Sequence, residues 1–339
     1  MSETKILLTG ATGFIGAYFL RLLLQKGYAV RAIRRSGSPM DLVRDVAGQV
    51  EWLEADVTDL VALEEAFAGI TLVCHCAAMV SFHPRDVRRM MQINVEGTAN
   101  IVNMSLDFGV RKLVHVSSIA SLGRLKTRPN LDEDARWVPG PGNSQYAISK
   151  YLSEQEVWRG HAEGLPVAIV NPSVVLGSGF WNAGSGRMFG QVYQGLKFWA
   201  VGSGGVVDVR DVAQFMLLLL ESDISGERYI LNARNITFRD LFFQIADALG
   251  VRRPFIRVTP ALAEVAWRVE WLKEKLLGAE PVVTRESARA GVSQYFYDHT
   301  KSLTLEGFSY RPLEQTIRET AAQFLEAAQA GSRPMILPF

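Results

Sequence analysis

The chain has 339 residues, of which 48% are hydrophobic and 21% charged, so it can form one large or two ordinary domains with a substantial core. Its net charge of +1 creates no strong electrostatic attraction for nucleic acid. No stretch reaches the roughly 18 consecutive apolar residues that a membrane-spanning helix needs. Cys74 and Cys76 lie too close for a normal disulfide, and the N-terminus has no signal-peptide pattern, so we expect a cytoplasmic protein.

Strand and helix patterns alternate along the first half of the chain. Short apolar runs predict strands, and helical spacing of apolar residues predicts the helices between them. Strands are expected at residues 5–9, 28–33, 50–54, 71–75, 113–117 and 167–170, and helices at 14–26, 60–67, 85–108 and 144–161. Such alternation is typical of an α/β fold with a doubly wound parallel sheet, in which ligands bind at the edge formed by the strand C-termini.

Glycines accumulate after Asn171-Pro172, and the pattern there indicates loops. Helical spacing returns at residues 188–195, 209–220, 238–249, 262–277 and 313–328. We predict a sheet domain over residues 1–172 plus about 206–222, a smaller, mostly helical substrate domain over 173–205 and 223–330, and a tail at 331–339. The helix at 262–277 is amphipathic, which favours packing over a pocket or against a partner, with a peripheral membrane face as the alternative.

A glycine-rich turn separates the first strand from the first helix. It reads Thr9-Gly10-Ala11-Thr12-Gly13-Phe14-Ile15-Gly16. Gly10 permits the tight turn, Gly13 lets the backbone approach a pyrophosphate, and Gly16 lets the helix pack closely on the strand. The helix N-terminus then offers free N–H groups to the anion. The pattern predicts a Rossmann-type dinucleotide site, and a purely structural turn is the alternative.

The end of the second strand distinguishes between the two nicotinamide dinucleotides. An NAD site usually has an acid there, which accepts hydrogen bonds from the ribose. This chain has Arg34 and Arg35 instead, and no acid between Val30 and Met40. Since guanidinium groups pair well with phosphate, we predict NADP(H), with Arg35 and Arg34 at its 2′-phosphate. Two solvated surface arginines are the alternative.

Tyr146 and Lys150 lie four residues apart on a predicted helix and therefore on one face. A free phenol has a pKa of about 10, and a nearby ammonium and an oxidised nicotinamide would both favour the phenolate. Lys150 would also bind the nicotinamide ribose. Ser117 and Ser118, at the end of the fifth strand, are placed to hydrogen-bond a substrate oxygen. The alternative is an exposed Tyr–Lys pair without chemistry, but the upstream glycine turn favours proton transfer beside a nicotinamide.

In order and spacing, these motifs resemble those of the extended short-chain dehydrogenase/reductase family, within the NAD-dependent epimerase/dehydratase superfamily. The resemblance covers nearly the whole chain. Besides the glycine turn it is carried by Asp56-Val57, His75-Cys76-Ala77-Ala78, Asn94, Ser117-Ser118, Tyr146 with Lys150, Asn171-Pro172-Ser173 and Asp208-Val209-Arg210-Asp211-Val212-Ala213.

The resemblance also implies roles for individual residues. Family members carry the substrate-orienting Ser or Thr five residues before a glycine, which selects Ser118, before Gly123. The implied catalytic set is therefore Ser118, Tyr146 and Lys150, and Asn94 is an ordering residue. Asp56 and Val57 would contact the adenine, Ala77 and Ala78 would line the nicotinamide, and Pro172 and Ser173 would lie near its carboxamide. The full predicted cofactor set is Gly10, Thr12, Gly13, Phe14, Ile15, Gly16, Arg34, Arg35, Asp56, Val57, Ala77, Ala78, Lys150, Pro172 and Ser173.

Within the family, the segments at residues 27–35 and 171–177 look most like the dihydroflavonol 4-reductase and 3β-hydroxysteroid dehydrogenase branch. The resemblance thus implies an NADPH-dependent reductase or dehydrogenase, in which Tyr146 and Ser118 polarise a carbonyl oxygen and Tyr146 gives it a proton. A nucleotide-sugar epimerase or dehydratase is one alternative, and a non-catalytic NADPH-binding protein is another. A homodimer is implied as well, with the helices at 85–108 and 144–161 pairing across a two-fold axis.

Apolar side chains follow the fourth strand and recur in the glycine-rich segment. The candidate pocket residues are Met79, Phe82, His83, Phe180 and Met188. A largely apolar set favours a small apolar carbonyl or alcohol substrate over a sugar diphosphate. His83 is equally explained as a residue at a loop or a helix start. The five histidines show no metal-ligand spacing, so we expect no metal.

Overall fold

A computed structural model describes residues 4–123, 130–140, 142–277, 284–331 and 334–339. The elements up to the sixth strand of the large sheet are β1 Lys5–Thr9, α1 Phe14–Gln25, β2 Ala29–Arg34, β3 Glu51–Glu54, α2 Leu60–Phe67, β4 Leu72–His75, α3 Val87–Met91, α4 Gly97–Asp107, β5 Lys112–Val116, β6 Asn130–Leu131, α5 Gln145–Ala162 and β7 Val167–Pro172. The remaining ones are β8 Val174–Leu176, α6 Gly186–Tyr193, β9 Phe198–Ala200, β10 Ser203–Asp208, α7 Val209–Glu221, β11 Glu227–Leu231, β12 Arg234–Thr237, α8 Phe238–Leu249, β13 Ile256–Val258, α9 Pro260–Leu277, α10 Arg285–Val292, β14 Phe296–Tyr297 and α11 Leu313–Gln329.

Seven parallel strands form the large sheet, in the order β11-β7-β5-β4-β1-β2-β3. The predicted doubly wound α/β class is confirmed. The sheet has one strand more than the sequence predicts, because β11 begins with the half-buried polar pair Glu227 and Arg228 and its apolar run is only three residues long. The strand order reverses between β1 and β4, and in such sheets the crevice at that point receives the ligand.

Helices cover both faces of this sheet. On one face α7 packs against α1, and on the other α4 packs against α5 and α2. Each layer buries an apolar core against the strands, which supplies most of the driving force for folding. The buried side chains include Phe19, Leu23, Phe215 and Met216 on the first face and Leu63, Phe67, Ile101 and Val157 on the second.

A third core lies in the C-terminal part, where α6, α8 and α11 pack together around Phe189, Leu241 and Ile317. This part is less purely helical than predicted, because it also contains the small sheets β12-β10-β8 and β13-β9. The interpretation of its glycines as loop residues was wrong for Gly204 and Gly205, which lie in β10. A Cβ on Gly205 would lie 2.2 Å from the Asn232 Oδ1 atom, so this glycine permits a close approach.

The two cysteines are free thiols: Cys74 is buried in β4 and Cys76 follows it. Among the helices of the described ranges, none has both the length and the apolar character that crossing a bilayer requires. Because α9 carries six ionisable side chains, it fits a surface position better than a buried one.

Candidate active site

The glycine turn between β1 and α1 packs closely against neighbouring backbone at Gly10 and Gly16, and its Gly13 leaves the N-terminus of α1 without a side-chain cap. Gly10 has φ +69°, and a Cβ there would lie 2.6 Å from the Ala77 nitrogen. A Cβ on Gly16 would lie 2.1 Å from the Gly10 oxygen, so both glycines are required by close backbone packing. Gly13 is the N-cap of α1 and provides no capping side chain, which leaves the first-turn N–H groups available to an anion. These residues fit a bound pyrophosphate.

A groove of about 460 Å³ opens beside this turn, at the reversal point of the sheet. Most of the predicted cofactor residues line it, namely Gly10, Thr12, Gly13, Arg34, Arg35, Asp56, Val57, Ala77 and Ala78. Ser38, Arg89 and Ile93 line it as well and were not predicted from the sequence. Arg89 and Ile93 lie on a predicted helix, and the local sequence pattern does not indicate which residues of that helix face the distant glycine turn.

The other predicted cofactor residues lie away from the groove wall. The Phe14 ring packs edge-on against Tyr18 at 5.8 Å and lines a separate small cavity, while Ile15 packs against the core. Pro172 and Ser173 are buried at the end of β7, where the Ser173 N–H donates to the Leu231 carbonyl at 2.9 Å. The structure therefore groups Phe14 with the C-terminal part rather than with the groove.

Arg34 and Arg35 bring two guanidinium groups to the β2 side of the groove. Arg35 is exposed and Arg34 half-buried, and neither pairs with an acid in the part of the chain that the structure describes. Arg44, ten residues beyond Arg34, does pair with Asp41 at 3.0 Å. The two groove arginines are thus available to a phosphate, whose geometry a guanidinium matches well.

Tyr146 and Lys150 lie on successive turns of α5. The Ser144 hydroxyl caps this helix by accepting from the Ala147 N–H at 3.0 Å, which places Tyr146 in the first turn. The Lys150 ammonium is buried and donates to the Val116 carbonyl at 2.9 Å, at the end of β5. The Ser118 side chain lies near enough to the Tyr146 hydroxyl to lower its pKa. The structure thus brings the three predicted catalytic residues together.

The side chains of the adjacent residues Ser117 and Ser118 have different partners: Ser117 faces Glu154, and Ser118 faces Tyr146. The Ser117 hydroxyl donates to the Glu154 carboxylate at 2.6 Å, within the protein. The Ser118 side chain contacts Tyr146 and accepts from the Ala120 N–H at 3.2 Å. This geometry favours Ser118 as the group that meets a substrate oxygen.

Glu154 is a buried carboxylate one turn beyond Lys150, and the sequence analysis missed it. It accepts hydrogen bonds from Ser117 at 2.6 Å, Ser121 at 2.7 Å and Asn171 at 2.8 Å, and it pairs with Arg228 at 3.0 Å. Burial alone would raise the pKa of Glu154, but Arg228 and the three donors hold it below its ordinary value. A negative charge is therefore maintained inside the protein.

This carboxylate network holds the main chain of Ser118. The Ser118 carbonyl accepts from the Ser121 hydroxyl at 2.8 Å and from the Asn171 amide at 3.2 Å, and both donors also bind Glu154. Lys150, four residues before Glu154, is on the same helix face. That spacing was the one sequence signal that could have identified Glu154.

Burial shifts the pKa values of both titratable residues of the catalytic set. It lowers the pKa of Lys150 to about 8, against the opposite effect of the Glu154 charge. It raises the pKa of Tyr146, although the nearby Ser118 side chain acts in the other direction. In the protein without a nicotinamide the phenolate is therefore not favoured, because desolvation outweighs the effect of Ser118, and a phenolate beside an oxidised nicotinamide stays a prediction. At neutral pH Tyr146 is a phenol that can donate a proton.

Asn94 ties the segment after β4 to α5. Its amide oxygen accepts from the Met79 N–H at 2.7 Å, and its amide nitrogen donates to the Met79 carbonyl at 2.9 Å and to the Ser149 hydroxyl at 2.9 Å. Residues 92–96 around it are π-helical, so the continuous helix predicted at 85–108 is interrupted. Such π-bulges often occur at functional sites.

The candidate pocket residues fall into two groups. Met79 lines the groove, and the Phe82 ring packs edge-on against the Tyr146 ring at 5.8 Å. His83 instead caps the Pro84–Asp86 turn and contacts the Glu274 carboxylate of α9 at 3.1 Å. Phe180 lines the small cavity beside Phe14, and Met188 packs on the C-terminal core. Only Met79 and Phe82 therefore lie beside the groove or Tyr146.

Comparison with known proteins agrees with this geometry. The sequence model of the NAD dependent epimerase/dehydratase family matches residues 6–232, about two thirds of the chain. That range includes the glycine turn, the groove arginines and the Ser118, Tyr146 and Lys150 group.

Three relatives illustrate the match. A protein of Synechocystis sp., provisionally named a dihydroflavonol 4-reductase, is 28% identical over 93% of both chains. Sterol demethylase protein B of Methylococcus capsulatus is 30% identical over 76% of this chain and 78% of its own. Cinnamoyl-CoA reductase 1 of Petunia hybrida is 30% identical over 68% of this chain and 73% of its own.

A solved structure extends the similarity to nearly every residue. The crystal structure of gox2253 superimposes with a TM-score of 0.83 and 32% identity, covering 97% of this chain and 99% of that one. The C-terminal part, beyond the range of the family model, therefore also has a counterpart in a known structure.

Proposed function

The chain belongs to the NAD dependent epimerase/dehydratase family, among the extended short-chain dehydrogenase/reductase oxidoreductases, and from this premise we propose that it is an NADPH-dependent reductase of apolar carbonyl compounds. The observation that carries the proposal is the group of Ser118, Tyr146 and the buried Lys150 beside a groove lined by two arginines that have no acidic partner among the described residues. Relatives named for reduction of a dihydroflavonol and of cinnamoyl-CoA support the reductive direction.

The groove residues would hold the cofactor along its length. The bare N-terminus of α1 would bind the pyrophosphate, and Arg35 with Arg34 would bind the 2′-phosphate. Asp56 and Val57 would contact the adenine. Ala77 and Ala78 would line the nicotinamide, with Pro172 and Ser173 near its carboxamide, and Lys150 would bind the adjacent ribose. NADPH bound in this way supplies a hydride for a carbonyl carbon.

Side chains of the protein would polarise the carbonyl group and supply the proton. The hydroxyls of Ser118 and Tyr146 donate to the carbonyl oxygen and polarise it. As the oxygen becomes an alkoxide, the Tyr146 phenol transfers its proton to it, which yields the alcohol. The Lys150 ammonium stabilises the phenolate that remains, and solvent returns a proton to Tyr146. The raised pKa of Tyr146 keeps the phenol protonated before each turnover.

The surroundings of Tyr146 support an apolar substrate. Met79 lines the groove and Phe82 contacts the tyrosine ring, and Phe82 is 42% exposed, so a ligand can reach it. Apolar walls with few polar groups are typical of sites that bind small hydrophobic molecules.

A panel of apolar ketones and aldehydes tests the proposal, with NADPH and NADH compared for each. We expect one NADPH to be consumed for each alcohol formed, and a higher kcat/KM with NADPH than with NADH. Preference for NADH would contradict the role of the arginines. A protein that is purified with tightly bound dinucleotide and interconverts sugar nucleotides without net consumption would instead be an epimerase.

We also propose a cytoplasmic homodimer in which the helices at 85–108 and 144–161 pair across a two-fold axis. On α5 the Leu152 side chain is 39% exposed, which leaves apolar surface for such a contact. We also propose a division into a cofactor domain and a smaller substrate domain, with residues 206–222 joined to the cofactor domain; β11, as the seventh strand of the large sheet, belongs with the cofactor domain and not with the substrate domain to which the sequence assigned it. Sedimentation velocity would show a single species of twice the chain mass, and a Leu152→Glu variant would shift it to the monomer.

A further inference from the structure

Helix α9 carries a continuous exposed apolar stripe. Leu262, Val265, Val269, Leu272 and Leu276 are 41% to 72% exposed. Their spacing alternates between three and four residues, so all five lie on one side of the helix. Large apolar side chains arranged in a contiguous exposed patch mark an interaction surface more often than scattered single ones do.

The opposite side of α9 holds the helix on the protein. Ala263 is buried there, and Trp267 is half-buried. The Glu274 carboxylate accepts from Arg85 at 3.0 Å and contacts His83 at 3.1 Å. The helix therefore has a polar and aromatic attachment on its inner side, and its apolar stripe faces outward.

Basic residues border the stripe on both sides. At about 100° per residue, Arg268 and Lys275 follow one edge of the stripe and Lys273 the other. The Arg268 side chain reaches the Glu264 carboxylate at 2.7 Å and Lys273 reaches Glu270 at 2.8 Å, both in exposed pairs that contribute little to stability. An incoming anion can therefore compete for these cations.

The charge pattern distinguishes between possible occupants of the stripe. A second copy of α9 would place its own Arg268, Lys273 and Lys275 opposite the same three cations, in either direction, and like charges at these positions disfavour pairing. A surface that presents apolar chains beneath a layer of negative charge complements both the stripe and its borders.

We propose that α9 docks on the surface of a bilayer rich in anionic phospholipid, with its axis in the plane of the interface. Leu262, Val265, Val269, Leu272 and Leu276 enter the acyl region, and Arg268, Lys273 and Lys275 contact the headgroups. The helix does not span the bilayer, because six ionisable residues are distributed along it.

This docking would place the membrane close to the proposed active site. Glu274 of α9 contacts His83, and Phe82, the preceding residue, packs on the Tyr146 ring. If the proposed function holds, an apolar substrate dissolved in the bilayer would enter beside Phe82. Membrane docking itself does not depend on that function, since it is measured without any substrate.

Flotation of the full-length protein with vesicles tests the proposal. Neutral phosphatidylcholine vesicles are compared with vesicles that contain a substantial fraction of phosphatidylglycerol. We expect binding to the anionic vesicles only, with an affinity that falls as salt rises. Combined Val269→Glu and Leu272→Glu replacement should lower the partition coefficient at least about tenfold. Val61→Glu, which changes a residue that is 80% exposed on α2, is the matched control and should bind as the unmodified protein does.

A second variant tests the cations separately. Replacing Arg268, Lys273 and Lys275 with Gln should lower binding to anionic vesicles about 100-fold. The circular dichroism spectrum should stay that of the folded, unmodified protein. The proposal is overturned if the unmodified protein ignores anionic vesicles, if it binds neutral ones equally well, or if the Val269/Leu272 variant binds normally. It is also overturned if that variant converts a larger oligomer to a smaller one in sedimentation velocity, since a second copy then covers the stripe.

Discussion

The α5 side of the candidate active site, next to the groove, and the β2 side, which lines the groove, are built differently. On the α5 side, Lys150 is buried and hydrogen-bonded, Tyr146 lies beside Ser118, and the Glu154 network holds the Ser118 main chain behind them. On the β2 side, Arg35 is exposed and Arg34 half-buried, and neither has an acidic partner among the described residues.

This difference reflects what each side would do. Groups that move a proton must be held in position before the substrate arrives, because reorganisation during the reaction costs rate. Groups that bind a phosphate gain most from charges that no internal partner has neutralised. Substitutions on the α5 side should therefore affect turnover, and those on the β2 side should affect cofactor affinity.

Tyr146→Phe should have the largest effect, because it removes the proton donor and keeps the ring. We expect kcat to fall about 1,000-fold or more. Fluorescence titration should show nearly unchanged NADPH affinity, since no groove contact is lost. A variant that kept wild-type turnover on the true substrate would show that Tyr146 is not the proton donor.

The serine pair provides an internal control for the α5 side. Ser118→Ala should lower kcat about 100-fold, because one of two donors to the substrate oxygen is lost. Ser117→Ala should leave kcat close to normal and destabilise the protein by roughly 1–3 kcal/mol, because the buried Glu154 loses a donor. Steady-state kinetics and urea unfolding of both variants measure these effects, and reversed results would reassign the substrate contact to Ser117.

Arg35→Ala tests the β2 side. We expect KM for NADPH to rise about tenfold to a hundredfold, since a charged hydrogen bond to phosphate is lost, while KM for NADH and kcat change little. Arg44→Ala is the matched control, because Arg44 pairs with Asp41 outside the groove. Equal effects on both cofactors would mean that Arg35 does not bind the 2′-phosphate.

The pH dependence of reduction should show a smaller effect. The Lys150 ammonium, with its pKa lowered to about 8, is present below that pH and is lost as pH rises through it, so kcat should decline on the alkaline side. Unfolding cannot cause this decline through Lys150. The lysine pKa is lower in the folded than in the unfolded chain, so its titration raises stability between about pH 8 and 10.5. A flat profile across pH 8, with unchanged thermal stability, would contradict the role of Lys150.

The sequence predicted those parts of the site that depend on local spacing. The glycine turn is a contiguous motif, and Tyr146 with Lys150 is a one-turn pair, so both could be placed before the fold was known. Sequence relatives and the family match then confirmed the family that these motifs suggested.

What the sequence did not predict depends on contacts between distant segments. Arg228 on β11 reaches Glu154 on α5 across 74 residues, and Glu274 reaches His83 across 191. The raised pKa of Tyr146 was missed for the same reason, since burial is a property of the folded chain. The strand around Gly205 was not predicted, because the sequence does not distinguish a glycine that permits close packing within a strand from a glycine in a loop.

A crystal structure of the protein with NADPH tests the central claim most directly. The account predicts the pyrophosphate at the Gly10–Gly13 turn, the 2′-phosphate on Arg35, and the Tyr146 and Lys150 side chains beside the nicotinamide and its ribose. An NADPH molecule bound elsewhere, or a Tyr146 hydroxyl turned away from the nicotinamide, would contradict it.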